Sequence, residues 1–229
     1  DSEVDITNLI IDNDEQTGTA LITVDDKGQN EIIVISGSNM NLTPQDIESR
    51  ASVFENATIV LSQLEIPMDT VLKSAELAKN NNSLFILNPA PALKIPERLY
   101  NLIDYITPNE HELRLLSGVN IENHSSVIDG ARVLLNKGVQ NVIVTLGDNG
   151  CVLINNSVTK YFKANKVKVV DSTAAGDAFN GALAASLSDG HLIDEAIEFA
   201  NKVASISVTR MGAQSSLPYL HEIGDLYSV

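Results

Sequence analysis

Apolar and polar positions change rhythm near residue 40. Before it, Ala20, Ile22 and Val24 alternate with Thr19, Leu21 and Thr23, Asp25-Asp26-Lys27-Gly28 breaks the run, and Glu31-Ile32-Ile33-Val34-Ile35 resumes it. A period of two on either side of an Asp- and Gly-bearing turn predicts a β-hairpin. Val4 to Ile10 offers a third strand, which makes a small antiparallel sheet. No helix lies at hand to cover that sheet, so it must rest on the main domain, on a ligand or on another subunit.

From Leu42 onward, helical periods alternate with short apolar runs. Thr43-Pro44 caps a first helix over 44–55, followed by strand Thr58-Ile59-Val60-Leu61, a helix over 68–80, strand Leu84-Phe85-Ile86-Leu87, a short helix over 96–102 and strand Tyr105-Ile106. Helices over 110–117 and 125–136 precede strand Val142-Ile143-Val144-Thr145. Val152-Leu153-Ile154 and 158–162 read as an antiparallel hairpin through Asn155-Asn156. The β-branched run Val167, Val169 and Val170 predicts a strand entering a turn at Asp171, and a helix of small residues from Ala178 to Leu187 leaves it. A last helix over 193–209 gathers Ile197, Ala200, Val203, Ala204 and Val208 into one stripe. The alternation predicts an α/β fold, a mostly parallel central sheet flanked by helices, with a β-rich unit at 1–40 and the α/β domain at 41–229. Polar residues follow the strands: Glu65, Asn88, Asn109, Gly147-Asp148-Asn149-Gly150 and Asp171. Ligands of open α/β sheets gather at that carboxyl edge.

Composition narrows the partners. In 229 residues, 44% of them apolar, there is enough for a substantial core. Asp and Glu number 30 against 15 Lys and Arg, and the formal charge of -15 excludes a general affinity for nucleic acid or anionic membrane. A phosphate ligand must therefore be held locally. One cysteine, Cys151, excludes an internal disulfide and a cysteine-based zinc site; it reads as a small buried hydrophobe. No apolar run approaches the roughly 18 residues that span a bilayer, and no signal peptide or basic presequence is recognisable, so the expected location is the cytoplasm.

The densest chemistry lies in Asp171 to Gly181, D-S-T-A-A-G-D-A-F-N-G. At a helix N-terminus the first NH groups lack intrahelical partners and the dipole's positive end points outward, so Ala174, Ala175 and Gly176 offer a cradle for a phosphoryl oxygen. A carboxylate at Asp177 is within reach of the same anion and can take a proton from an attacking hydroxyl; alternatively it only stabilises the helix dipole. Thr145-Leu146-Gly147-Asp148-Asn149-Gly150 is either a chain reversal or a turn that packs its backbone on a nucleotide, and it is not a P-loop, because no G-x-x-x-x-G-K-[ST] occurs. Asn109 reads as an N-cap with Glu110 and Glu112 in the first turn. His111-Glu112 is no zinc-protease motif, because Leu115 stands where the second histidine is needed.

Together D-S-T-A-A-G-D-A-F-N-G, L-S-Q-L-E-I-P, N-P-A-P-A, N-E-H-E, T-L-G-D-N-G and T-R-M-G-A-Q resemble the ribokinase branch of the PfkB carbohydrate kinases over nearly the whole chain. The resemblance implies a ribokinase-like fold with an antiparallel β lid that pairs with its twin in a homodimer. It implies transfer of the γ-phosphoryl group of ATP to the 5-hydroxyl of D-ribose, with Asp177 as base beside the sugar and Ala174, Ala175 and Gly176 as the anion hole. Glu65 would accept hydrogen bonds from sugar hydroxyls. Asn109 would face the phosphates, Glu112 would act on Mg2+ through water, and Thr145, Leu146, Gly147, Asp148, Asn149, Gly150, Gly176, Asp177 and Asn201 would line the ATP site. Asp171, Thr173, Ser207, Arg210, Gly212 and Ser216 match the loop pair that binds an activating K+.

Family members carry, ahead of the hairpin, a strand with a sugar-binding Asp and a G-G-K-G-A-N loop; neither occurs in these residues. The expectation is an N-terminally incomplete chain, by itself a poor kinase and poorly stable, since a lost inner strand strands its neighbours' NH and CO groups. Two rival functions stand beside ribose phosphorylation. One is a kinase of the same fold acting on fructose, a nucleoside or a deoxysugar. The other is a catalytically silent nucleotide-binding or interaction protein.

Overall fold

Thr17–Val24 (β1) and Asn30–Gly37 (β2) pair antiparallel, Thr17 opposite Gly37 and Ala20 opposite Val34. The computed structural model describes residues 4–24 and 30–224, so the turn expected at Asp25 to Gly28 lies outside the described residues. The sheet has two strands, not three. Val4 to Ile10 is irregular because its backbone closes on itself: Asp5 Oδ1 accepts from Thr7 N at 2.9 Å and Ile6 O from Leu9 N at 3.0 Å. Leu21, Ile33, Val34 and Ile35 are each more than half exposed, and these side chains fall on both faces of the hairpin.

Thr43 forms a capping box with Asp46 and starts the helix Pro44–Glu48 (α1), which stops short of residue 55. Ser49 Oγ turns back onto Asp46 O at 2.8 Å, and the chain continues as a single tight turn over Ala51–Val53. The remaining elements are β3 (Ile59–Ser62), α2 (Met68–Asn80), β4 (Leu84–Leu87), α3 (Glu97–Tyr100), β5 (Tyr105–Ile106), α4 (Glu110–Ser117) and α5 (His124–Asn136). After them come β6 (Asn141–Thr145), β7 (Cys151–Ile154), β8 (Thr159–Phe162), α6 (Ala175–Ser188), α7 (Ile193–Ser207) and α8 (Leu220–Ile223).

Strands β3 to β8 lie side by side in chain order, β3 to β6 parallel and β7 and β8 antiparallel. Period-two alternation divides the core. Val142, Val144, Val152 and Ile154 face one apolar cluster with α2, α4 and α5, whereas Ile143, Cys151 and Leu153 face a second with α6 and α7. The Asn155 side chain closes the β7–β8 turn by accepting from Ser157 N and Val158 N, both at 2.9 Å.

One expected strand is absent. Val167, Val169 and Val170 alternate with lysines as a strand would, but no described segment offers them an edge, and all three are exposed. The segment is held instead where Val170 N and Asp171 N both donate to Val208 O, at 2.8 and 3.2 Å. Asp171 therefore follows a loop, while Glu65, Asn88, Asn109 and Gly147 do follow strand ends.

Candidate active site

The first turn of α6, like those of α2 and α3, has no side-chain cap, and it alone of the three starts from a left-handed residue. Asn109 caps α4 and Asn123 caps α5 with their side chains, but α6 starts from Ala174 with no side-chain cap. Ala174 sits at φ 61° in the left-handed region, which costs a non-glycine residue about 1–2 kcal/mol. Ala175 N donates to Ser172 O at 3.3 Å, and no side chain caps the NH groups of this turn.

These groups border a cleft of about 510 Å³ whose lining includes Asn109, Thr145, Gly147, Gly150, Ala175, Gly176 and Asn201. Glu110, His111, Phe179 and Ala204 also line it, although none of them was assigned a ligand role from the sequence; the first three lie inside or beside the recognised motifs. An adjoining groove of about 530 Å³ shares Gly147, Ala175, Asn201 and Ala204 and adds Asp148, Lys166 and Ser172. Leu146 lies beneath, buried, its NH donating to Gly150 O at 2.8 Å to close the tight turn. Pro108 O accepts from Thr145 N at 3.0 Å, so the Asn109 and Gly147 loops are laced together.

Asp177 lies one residue beyond Gly176, over a shallow depression with Leu217, Phe199 and Val203 rather than in the cleft lining. Its carboxylate is solvent-accessible and makes no hydrogen bond or ion pair among the described residues. Protein crowds half of its surroundings, and this desolvation raises its pKa above the usual aspartate value. Glu112 is half-buried and its pKa is raised by desolvation, against a lowering hydrogen bond from Asn109 N to Oε2 at 2.8 Å. The capping reading of Asn109 and Glu112 thus holds in full: Asn109 Oδ1 accepts in return from Glu112 N at 2.8 Å. Glu65 is exposed and stands outside the cleft lining.

Asn201 forms the far wall, nearly buried, with Nδ2 3.7 Å from Cys151 Sγ. Burial pushes the Cys151 thiol up to about 12, the contact with Asn201 only partly opposing it. Behind α6, Asp171 ties two loops, accepting from Thr173 N and from Gly212 N, both at 2.9 Å; these bonds hold its carboxyl below the usual range. Ser216 is buried and donates to Ala213 O, and Ser207 Oγ is buried with no partner among the described residues. Arg210 directs its guanidinium away, to Glu222 at 2.7 Å. Among the described residues no three His, Cys, Asp or Glu side chains converge as a metal cluster, and no helix is long and apolar enough to cross a membrane.

The description "pfkB family carbohydrate kinase" matches residues 1–220. The chain is 40% identical over 227 residues to a ribokinase of Staphylococcus aureus, covering 98% of this chain and 74% of that protein. A ribokinase structure from Thermotoga maritima superposes with a TM-score of 0.82 at 44% identity, covering 91% of this chain and 69% of the other. The ribokinase of Arabidopsis thaliana complexed with ribose and ATP superposes with a TM-score of 0.85 at 31% identity, covering 95% and 71%.

Proposed function

The chain belongs to the pfkB family of carbohydrate kinases, and from that premise we propose that it transfers the γ-phosphoryl group of ATP to the 5-hydroxyl of D-ribose. One observation carries this reading: an uncapped, left-handed helix start at Ala174 opens on a cleft, with the carboxylate of Asp177, unpaired among the described residues, next in line. Asp177 takes the hydroxyl proton as that oxygen bonds to the γ-phosphorus, and the bond to the β,γ-bridging oxygen breaks to release ADP. The NH groups at Ala174, Ala175 and Gly176 face the charge that builds on the phosphoryl oxygens. No lysine of the P-loop kind is needed, because the helix terminus supplies the positive potential.

ATP lies across the cleft and its adjoining groove, with Asn109 toward the phosphates, Thr145 to Gly150 along one wall and Asn201 beside the base. Mg2+ neutralises the β and γ phosphates when bound; Glu112, with Oε2 committed to the α4 cap, suits a role through water. K+ fits the loop pair at Asp171, Thr173, Ser207, Arg210, Gly212 and Ser216, where the Ser207 hydroxyl, without a partner among the described residues, and backbone carbonyls would be the ligands. Glu65 serves the sugar side. Residues 1–40 form the lid and 41–229 the catalytic domain; exposed Leu21, Ile33, Val34 and Ile35 on the hairpin favour pairing with a second copy. A single buried thiol is in keeping with the cytoplasm.

Incubation of the purified protein with ATP and D-ribose, 2-deoxyribose, fructose or adenosine tests the assignment. The expected result is equimolar ADP and ribose 5-phosphate, with kcat/KM highest for ribose. A higher kcat/KM for another sugar or for the nucleoside reassigns the substrate, and nucleotide binding with no turnover marks a silent binder.

Residues 159–170 hold four lysines and no acidic residue in a chain of charge -15. Lys160 pairs with Asp194 at 2.8 Å, but Lys163, Lys166 and Lys168 are exposed and make no ion pair among the described residues, and Lys166 lines the groove. They offset locally the repulsion between an acidic protein and a polyanionic nucleotide. Lys166→Glu with Lys168→Glu is expected to raise KM for ATP about three- to tenfold at low ionic strength, with kcat unchanged, and the gap should close near ~0.5 M salt. An effect independent of salt would count against steering.

A further inference from the structure

Asn180 is a carboxamide set among small and apolar residues of α6, only 3% exposed, with Ala178, Phe179, Ala182 and Leu183 buried around it. Burying an amide is unfavourable unless its hydrogen bonds are made, so an apolar residue would serve packing alone better. Both ends of this amide are engaged. Nδ2 donates to Gly176 O at 2.9 Å, and Oδ1 accepts from Thr107 Oγ1 at 2.7 Å. Thr107, also 3% exposed, is fixed to the sheet by its own NH, which donates to Leu87 O at 3.0 Å.

Gly176 lines the cleft, whereas Thr107 is buried and leads into the Asn109 loop that lines it. Thr107 is two residues before Asn109, whose loop is laced to Thr145; Gly176 belongs to the α6 turn that lines the cleft beside Asp177. We propose that the Thr107–Asn180–Gly176 hydrogen-bonded tie is a positioning device, which sets how far the first turn of α6 advances over the sheet edge and hence the spacing between its NH groups and the Asn109 loop. It acts through Gly176 and touches no reactant. Phosphoryl transfer depends on alignment to a fraction of an ångström, so slack in this tie lowers turnover more than it lowers binding. The effect on turnover rests on the kinase reading above, whereas the effect on the α6 turn does not.

The decisive comparison is the double variant Thr107→Val with Asn180→Leu against each single change. Thr107→Val leaves the buried Asn180 Oδ1 without its donor, Asn180→Leu leaves Thr107 Oγ1 only a long 3.5 Å contact to Leu87 O, and each lowers the melting temperature; replacing both removes that penalty, so the double variant should be closer to wild type in stability than the single changes predict together. Its kcat is nevertheless expected to stay at least tenfold down with KM for ATP within threefold, and Thr107→Ser, which keeps the hydroxyl, should retain activity. A double variant that recovers both stability and kcat would reduce the tie to a packing contact and overturn the proposal. Amide hydrogen exchange gives a readout free of turnover: peptides spanning 172–181 should exchange at least fivefold faster in the double variant, with α2 and α5 unchanged. Unaltered exchange there overturns the tie, while a wild-type protein that turns over no sugar but shows the faster exchange in the variant overturns only the kinase reading.

Discussion

Asp177→Asn is expected to lower kcat by about 10²- to 10⁴-fold, the usual worth of a positioned general base, while the dissociation constant for ATP changes by less than about fivefold. Nucleotide affinity is spared because Asp177 stands outside the cleft lining, beyond Gly176. Stability should move the opposite way from activity. Desolvation raises the folded-state pKa of Asp177, so its favourable contribution is complete only below the ordinary carboxylate pKa and is lost as pH rises through the raised value. At neutral pH the ionised side chain is a small burden on the fold. The asparagine variant should therefore melt no lower than wild type, and kcat of the wild type should fall on acidification starting above the ordinary aspartate range. Steady-state kinetics and thermal melts on the same preparations check both arms; surviving turnover, or a large loss of stability, would refute the base assignment.

Gly150→Ala is expected to cost roughly 3–5 kcal/mol of stability, from a backbone conformation nearly reserved for glycine plus overpacking. Gly150 lies at φ 89° and ψ -125°. A Cβ there would overlap the Phe162 carbonyl oxygen and meet Ala164 N at 2.6 Å, both of them backbone atoms that cannot swing aside. The accommodation must come from parting β7 from β8 or from displacing the Leu146 turn, and either change deforms the cleft wall. Gly147 is the control: it lies at φ 58° with nothing within 4 Å of a Cβ, so alanine should cost only about 1–2 kcal/mol. Urea denaturation of the two variants gives the comparison, and equal losses at the two positions would contradict it.

Where a few neighbouring residues settle the conformation, the sequence was legible. In α2, Val71, Leu72, Ala75 and Ala78 recur at helical spacing and all are buried, and the expected 68–80 is the observed span. The tight turn after β6 and the small-residue start of α6 were readable for the same reason, each being a property of consecutive residues. Residues 167–170 show the limit. Their alternation is that of a strand, but a strand needs an open edge beside it, and that edge is a matter of tertiary arrangement. The site divides likewise. Asn201 against Cys151 and Thr107 against Asn180 join positions 50 and 73 residues apart, and no local pattern announces either meeting. What did show was Asn180 itself, a polar residue inside an apolar helix, which sequence reading passed over as part of a motif.

The chain has one cysteine, and it lies behind the cleft wall that Asn201 forms. With a thiol pushed up to about 12, the reactive thiolate is scarce at neutral pH, and burial hides even that. A thiol reagent can therefore label the protein only when β7 becomes accessible. The labelling rate is a built-in clock for the opening of this wall, free of introduced probes and of competing sites, and its slowing on addition of ATP would measure in minutes how firmly a nucleotide holds the wall shut.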